Sequence, residues 1–525
     1  MKAKNKSRRS TKTLDLGVEH AGIASFVFIA KVISLAMGGV MLITITRLLG
    51  PAQYGIYTLA LAISGFVIGF GSLNTSAYFN KNIPKFLANG QIKRIGVIIG
   101  DNLIFLCALS LLLIFIGGIF ADDISKIIFG SVSYVLYVYL ALFGVLWYIL
   151  YATFSAVLVS FGVAKEVGIS SASSLVFQAI LSTSLVVLGF GAAGAILGWD
   201  AGFLIAFLIV IYYISRHVRI ELDIHGMIER LREVITFSIP LTAASVISTL
   251  ASNFVVIFFG ILLISTSAIG QYGIAAKVGQ VFDTVSGSIS IVLIPMFATA
   301  IYNKHSISKV NKLYHNTLYY NLIFTTPLVV YATVLSSDII FTVFTYTYTL
   351  AIVYMPLISI GMLISILWNA AFYMIVSLGR VEKVLRFTLI ATTVQILSVI
   401  VLGITFGVIG VIVAYFYIGN VVFCLLYFRE LSTFGIRIKL RPILKVISSN
   451  LILGIVLAPL IFLQIRALYV LIMGIFICII VYPVALVKTG ALTNKDIYVL
   501  YRTSSRMPFV GGIFRAILQY SEFFL

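Results

Sequence analysis

The chain has 525 residues, of which 61% are hydrophobic and 10% charged, and a formal net charge of +19. A soluble domain carries about 25% charged residues, and a soluble chain this apolar lacks the polar groups to cover its own surface, so an ordinary soluble fold is excluded. In a soluble protein the positive balance would point to nucleic acid. Here the Lys and Arg residues lie between apolar runs, the pattern of membrane topology, and no nucleic-acid partner is expected.

The apolar runs are about 20 residues long and do not alternate, so they read as membrane-spanning helices rather than barrel strands. The fold class is therefore an all-α membrane protein of about 14 transmembrane helices. In chain order they are predicted at 23–47, 54–79, 95–120, 131–160, 168–189, 193–214, 233–263, 268–300, 311–334, 350–378, 384–404, 407–428, 443–463 and 467–487. Breaks fall at Gly, Pro, Asn or charge clusters, such as Leu49-Gly50-Pro51 and Gly379-Arg380. The basic segment 1–22 leads into a run longer than a signal-peptide core and without a small-residue cleavage site, which reads as a retained first helix. Cys107, Cys424 and Cys478 all lie in apolar runs and imply neither disulfides nor a metal site.

The charge distribution checks this count. With an even number of helices both termini lie on one side, and placing them in the cytoplasm puts 31 of the 36 Lys and Arg on inner segments. The outer loops hold only Arg47, Lys126 and Arg466. A missed or invented helix would scramble that asymmetry. The expected location is the plasma membrane, with both termini cytoplasmic. The outer loops, the longest at about Ala121–Ser133 and Leu335–Thr349, leave no room for an extracellular domain. The tail after Lys488 is basic and aromatic, which fits an interfacial segment or a disordered one.

Gln53-Tyr54-Gly55-Ile56 opens the second helix and Gln271-Tyr272-Gly273-Ile274 the eighth. Each of these helices runs to an Ile-Pro pair, Ile83-Pro84 and Ile294-Pro295, before a basic inner loop. Helices 1–6 and 7–12 thus read as two copies of one unit in the same orientation, a transporter architecture. The predicted organisation is an N-lobe at 23–214, a cytoplasmic linker at 215–232, a C-lobe at 233–428, a cytoplasmic loop at 429–442, helices 13 and 14 at 443–487, and a tail at 488–525.

Arg47-Leu48-Leu49-Gly50-Pro51-Ala52-Gln53-Tyr54-Gly55-Ile56-Tyr57 resembles the R-x-L-G-P-x-x-Y-G-x-Y signature of polysaccharide flippases, the Wzx-type members of the multidrug/oligosaccharidyl-lipid/polysaccharide exporter superfamily. Phe237-Ser238-Ile239-Pro240-Leu241 is similar to the F-x-x-P-L start of that family's seventh helix, and Gly270–Lys277 to its G-x-Y-x-x-A-x-K stretch. The chain departs from the family at Asn253-Phe254, where an Asp-Arg pair is frequent, and at Lys81-Asn82, where Arg-Tyr is. The resemblance implies two lobes around a central cavity lined by helices 1, 2, 7 and 8. It also implies that helices 13 and 14 hold a lipid tail in a lateral groove.

Polar stripes fall on those four helices. Helix 7 carries Ser238, Thr242, Ser245, Thr249 and Ser252 at spacings of 4, 3, 4 and 3, on one face. Helix 8 carries Lys277, Gln280, Thr284 and Ser288, with Asp283 beside them; helix 2 carries Tyr57, and helix 1 Lys31. For each single Ser or Thr the alternative is helix packing. A charge at mid-bilayer costs at least about 2.5–3.5 kcal/mol, so Lys31 and Lys277 are candidates to contact the phosphates of a lipid-linked sugar. Snorkelling or a structural ion pair is the alternative for each lysine. Asp283 and Asp200 are candidates for coupling to Na⁺ or H⁺, because a buried carboxylate can hold either; neutralising a lysine is the alternative for Asp283. Asp101, nearer the inner interface, reads as a solvated or capping residue.

No Walker signature is present, so ATP hydrolysis by this chain is excluded. The five histidines have no metal-ligand spacing, and no cofactor or metal is expected. The reading is a non-enzymatic flippase, monomeric, that moves a polyprenyl-(di)phosphate-linked oligosaccharide across the plasma membrane by alternating access. Its partners would be that substrate, membrane lipids and glycan-assembly enzymes. The alternatives are a cation-coupled drug exporter of the same superfamily and a membrane glycosyltransferase or polymerase.

Overall fold

The computed structural model describes residues 2–291 and 307–522, except positions 224, 379, 437–439, 464, 495, 498–500 and 502–510. Within its helices the side chains of residues 2–35, 164, 240, 241, 244, 245, 287–291, 307–309, 381, 511, 513, 514, 517 and 518 lie outside the description. Among the described residues there are only helices and turns, the all-α membrane fold that composition required. The helices are α1 Lys2–Gly71, α2 Thr75–Ala88, α3 Ile92–Ile119, α4 Ala121–Phe129, α5 Val135–Ser160, α6 Ala164–Leu185, α7 Gly191–His217, α8 Met227–Ile261 and α9 Thr266–Ile291. They continue as α10 Ile307–Val334, α11 Ser336–Phe344, α12 Ala351–Ser377, α13 Val381–Ile412, α14 Gly419–Thr433, α15 Leu440–Leu457, α16 Ala467–Lys488 and α17 Gly511–Glu522.

Among the described residues, eight helical stretches are long and apolar enough to cross a membrane, or nine if α10 and α11, bent by 80° at their junction, count as one span. Two of these, Lys165–His217 and Glu382–Thr433, run 53 and 52 residues, whereas one crossing needs about 20. Both are hairpins. The first reverses around Gly189–Gly191, and the Ser182 hydroxyl then donates to the Ala195 carbonyl at 3.0 Å. The second reverses at Gly407 (φ 59°), a backbone geometry open to glycine, and the Gln395 amide donates to the Tyr415 carbonyl at 2.9 Å. Large side chains such as Phe115, Leu188, Phe406, Phe462 and Phe476 are exposed, as a surface bathed in hydrocarbon requires.

The chain divides into two compact units, Met1–Gly270 and Gln271–Leu525. The division falls inside α9, beyond the 215–232 segment. In the first unit α5 runs through the core, burying Val138, Ala141, Val145, Ile149 and Phe154 completely. In the second, Trp368 of α12 stacks on Phe423 and Tyr427 of α14, with ring centroids at 4.6 and 5.6 Å, and donates its indole N–H to Asn420 at 3.0 Å.

The duplication extends beyond the tetrapeptides. Gly144 packs on Trp199 and Asp200, and Gly361, 217 positions later, packs on Phe416 and Tyr417. Gln178 packs on Gly202, and Gln395, again 217 positions later, packs on Gly419. The two copies therefore repeat the same close approaches between the same helices. One segment differs from expectation: the stretch 121–133, predicted as an outer loop, begins with α4. Ala121, Ser125 and Ile128, one turn apart, are buried and give this short helix an inner face. Part of the C-terminal tail is likewise ordered, since α17 packs on α16 and buries Ser521.

Candidate functional site

The Gly50-Pro51 signature is a helix break followed by a restart. Gly50 has φ 69° and ψ 175° inside α1, and Pro51 begins the next helical stretch, where its missing N–H costs nothing. One turn on, a Cβ at Gly55 would collide with the carbonyl oxygen of Thr266, and a Cβ at Gly270 would collide with that of Pro51. Two helices thus touch backbone to backbone through Pro51–Gly55 and Thr266–Gly270. Gln53 accepts from the Ala192 amide at 3.2 Å, at the start of α7. Its repeat partner Gln271 accepts from the Leu350 and Ala351 amides at 2.5 and 3.3 Å, at the start of α12. The same side chain in each copy satisfies N–H groups that a helix start leaves open.

The helix-7 stripe lies on α8. The Thr242 hydroxyl donates to the carbonyls of Leu73 at 2.6 Å and Ser238 at 2.8 Å, and so secures the α1–α2 turn, where Leu73 and Asn74 have positive φ. Thr249 packs on Gly69, and Asn253 packs on Gly65. Gly65 and Gly69 form a small-xxx-small pair that lets α1 and α8 approach closely. Asn253, at a position where the family often has Asp, donates to the Thr249 carbonyl at 2.8 Å. The side chain of Ser245 lies outside the described residues. Lys81 places its ammonium 4.5 Å from the centre of the Phe237 ring, a cation–π contact near the start of α8.

Asp200 lies nine residues into α7, about 14 Å along it, and is only 1% exposed. Neither carboxylate oxygen has a hydrogen-bond partner among the described residues. The carboxylate occupies the space that the missing side chain of Gly144 leaves on α5. Tyr57, itself buried beside Tyr54 with ring centroids at 5.7 Å, lies near it. Of the candidate residues, the first unit thus brings Asp200 and Tyr57 together.

A separate group lies on α9, in the second unit. Lys277, Gln280 and Thr284 share one exposed face. The Lys277 ammonium donates to the Gln280 side-chain carbonyl at 3.3 Å, and the Thr284 hydroxyl donates to the Gln280 main-chain carbonyl at 2.7 Å. Lys277 makes no ion pair among the described residues. Asp283 is exposed on the same helix and is not its partner. At 26 residues α9 is long enough to span, yet this polar stripe keeps it out of the most apolar set. The side chain of Lys31 lies outside the described residues.

Sequence reasoning missed several ionic ties between helices. Asp101 is not solvated: it is 1% exposed and accepts from Arg230 Nε at 2.5 Å and Nη2 at 3.3 Å, while Arg230 also reaches Asp223. Glu233 accepts from the Tyr78 hydroxyl at 2.9 Å and from Arg94 at 3.2 Å. In the second unit the buried Glu430 accepts from Arg380 at 2.9 Å and Lys383 at 2.7 Å.

Residues 23–301 match the model of a family described as polysaccharide biosynthesis protein. No curated protein matches the chain. Among solved structures, the chain is similar to the lipid II flippase MurJ in an inward closed conformation, with TM-score 0.72 and 16% identity over 91% of this chain and 99% of that one. It is also similar to an inward-facing multidrug resistance MATE family transporter of the MOP superfamily, with TM-score 0.58 and 16% identity over 77% and 95% of the two chains. At this identity the likeness is one of fold.

Proposed function

Because the chain belongs to the polysaccharide biosynthesis protein family, we propose that it is a flippase for a polyprenyl-(di)phosphate-linked oligosaccharide, working by alternating access in the plasma membrane with both termini cytoplasmic. The observation that carries this reading is Lys277. A cation kept on an exposed helical face of a membrane protein, with no acidic partner among the described residues, is costly. A phosphate on the transported lipid offsets that cost, and the adjoining Gln280 and Thr284 offer donors and acceptors to a sugar. The reading involves no bond-breaking step, and glycan-assembly enzymes would supply and consume the substrate.

Asp200 supplies the drive in this scheme. A bare carboxylate sealed among apolar side chains is expensive; a proton or a small cation bound there, released as the protein changes state, would link transport to an ion gradient. The same residue keeps a cation-coupled exporter of small molecules as the second reading. The two separate on deletion of the gene followed by leaflet-resolved analysis of lipid-linked sugars. Accumulation of the lipid-linked glycan on the cytoplasmic leaflet is the expected result. An unchanged distribution overturns the flippase reading, and loss of glycan synthesis points to an enzyme.

A further inference from the structure

Three polar side chains of the second unit stand without partners. Asp283 of α9 lies near Tyr373 of α12 and near Tyr415 of the helical segment Val413–Ile418, between α13 and α14. The three elements pack together around this point. Gly279, one turn before Asp283, sits against Ile358 and Met362 of α12, and Gly361 of α12 sits against Phe416. Gln395 fixes the backbone at Tyr415 by donating to its carbonyl at 2.9 Å. Neither the carboxylate nor either phenol hydroxyl has a hydrogen-bond or ion-pair partner among the described residues. Asp283 is exposed and both tyrosines are half-buried.

A carboxylate inside the membrane is costly unless something polar meets it. Lys277 does not neutralise this one: it lies about 9 Å back along the helix, and its ammonium donates to Gln280. Lys277, Gln280 and Asp283 follow at steps of three, along one oblique row of side chains. Gln280 spends its carbonyl on Lys277, which leaves its two N–H for another acceptor. The row therefore runs from a cation, through an amide, to an acid flanked by two hydroxyls. A phosphate suits the first end. Sugar hydroxyls suit the last, since an ionised carboxylate only accepts while a phenol both donates and accepts.

We propose that Asp283, Tyr373 and Tyr415 read the sugar next to the phosphates of the transported lipid, admitting a neutral ring and turning away one that carries a carboxylate. This rests on the flippase reading above and adds to it the charge class of the sugar. A neutral ring donates hydroxyls to Asp283 and accepts from the tyrosines. An acidic ring sets a second carboxylate beside Asp283, and like charges repel most where water is scarce. The test is flipping in proteoliposomes of the full-length protein. The probes are two fluorescent polyprenyl diphosphates, one carrying N-acetylglucosamine and the other glucuronic acid.

The parent protein should move the neutral lipid at least about tenfold faster than the acidic one. Asp283→Asn should bring the two rates within about threefold of each other, by slowing the neutral lipid and admitting the acidic one. It should not lower the melting temperature, since an unpartnered acid gives way to a neutral group of the same shape. Tyr373→Phe and Tyr415→Phe, which keep the rings, should each slow the neutral lipid about fivefold. Lys277→Ala should slow both lipids alike, because both carry the diphosphate, and so separates loss of transport from loss of selection. Movement of both lipids at a ratio that Asp283→Asn leaves unchanged overturns this inference while the flippase reading stands. Equal slowing of both by Asp283→Asn, together with lost dependence on an imposed ion gradient, assigns Asp283 to coupling and also overturns it. Movement of neither lipid by the parent overturns the flippase reading and this inference together.

Discussion

Asp200 and Tyr417 stand 217 positions apart at corresponding places in the two copies, each packed against a glycine of the neighbouring helix, Gly144 and Gly361. Tyr417 is satisfied there, its hydroxyl donating to the Leu357 carbonyl at 2.8 Å. Asp200 has no partner among the described residues. The fold therefore accepts a different, neutral side chain at the corresponding place in the second copy, and packing alone does not call for a carboxylate in the first.

Replacing Asp200 with Asn should thus leave the protein at least as stable, because an unpartnered buried acid gives way to a neutral group of the same shape. Transport should fall by at least about tenfold, an effect of about 1.4 kcal/mol, and lose its dependence on the driving ion. Proteoliposome transport under imposed Na⁺ and proton gradients, read beside a thermal melt, checks both halves. Undiminished transport with unchanged ion dependence would remove Asp200 from the mechanism.

Gly55→Ala tests the signature. Its new methyl would meet the Thr266 main chain, which cannot rotate away. Overpacking of this kind costs about 1–3 kcal/mol, so a fall of several degrees in the melting temperature is expected. Gly38→Ala, with open space around the added atom, is the control. Equal melting of both variants would mean that the Pro51–Gly55 contact is not close in the working protein.

The duplication was legible in the repeated Gln-Tyr-Gly-Ile stretches at 53–56 and 271–274. The spans were legible because lipid imposes them, each crossing needing an apolar run of about 20 residues. Asp200 stood out as an acid inside such a run. Periodicity placed Lys277, Gln280 and Thr284 on one face, as α9 has them. It placed Thr242 and Thr249 on one face of α8 as well, but could not say what that face meets. Hydroxyl residues serve a wet lining and a close helix crossing equally, and in α8 they bond Leu73 and pack on Gly69. The Asp101–Arg230 pair was illegible for a different reason. Its members lie 129 positions apart, and each alone looks like an ordinary charge beside a helix end.

Asp101→Asn should cost about 3 kcal/mol, because removing one member of a buried pair leaves the other uncompensated. The lower end of the usual range applies, since Arg230 keeps Asp223 as a second partner. The loss should persist in high salt, which screens buried pairs weakly. Melting temperatures at low and high ionic strength decide this; a variant as stable as the parent would mean that the pair contributes nothing net.

Lys277→Ala is the decisive change for the transport reading. Lys277 is exposed on α9 and donates to Gln280, so its removal should not lower the melting temperature. If its ammonium meets a phosphate, transport should fall by about tenfold to a hundredfold, the loss of one charge-assisted hydrogen bond of about 1.5–3 kcal/mol. Lys277→Arg, which keeps the charge with a different donor geometry, should recover part of the activity, whereas Lys277→Gln should not. Flipping of a fluorescent polyprenyl-diphosphate sugar in proteoliposomes separates the three variants. Full activity of Lys277→Gln would show that the positive charge is not what the substrate meets.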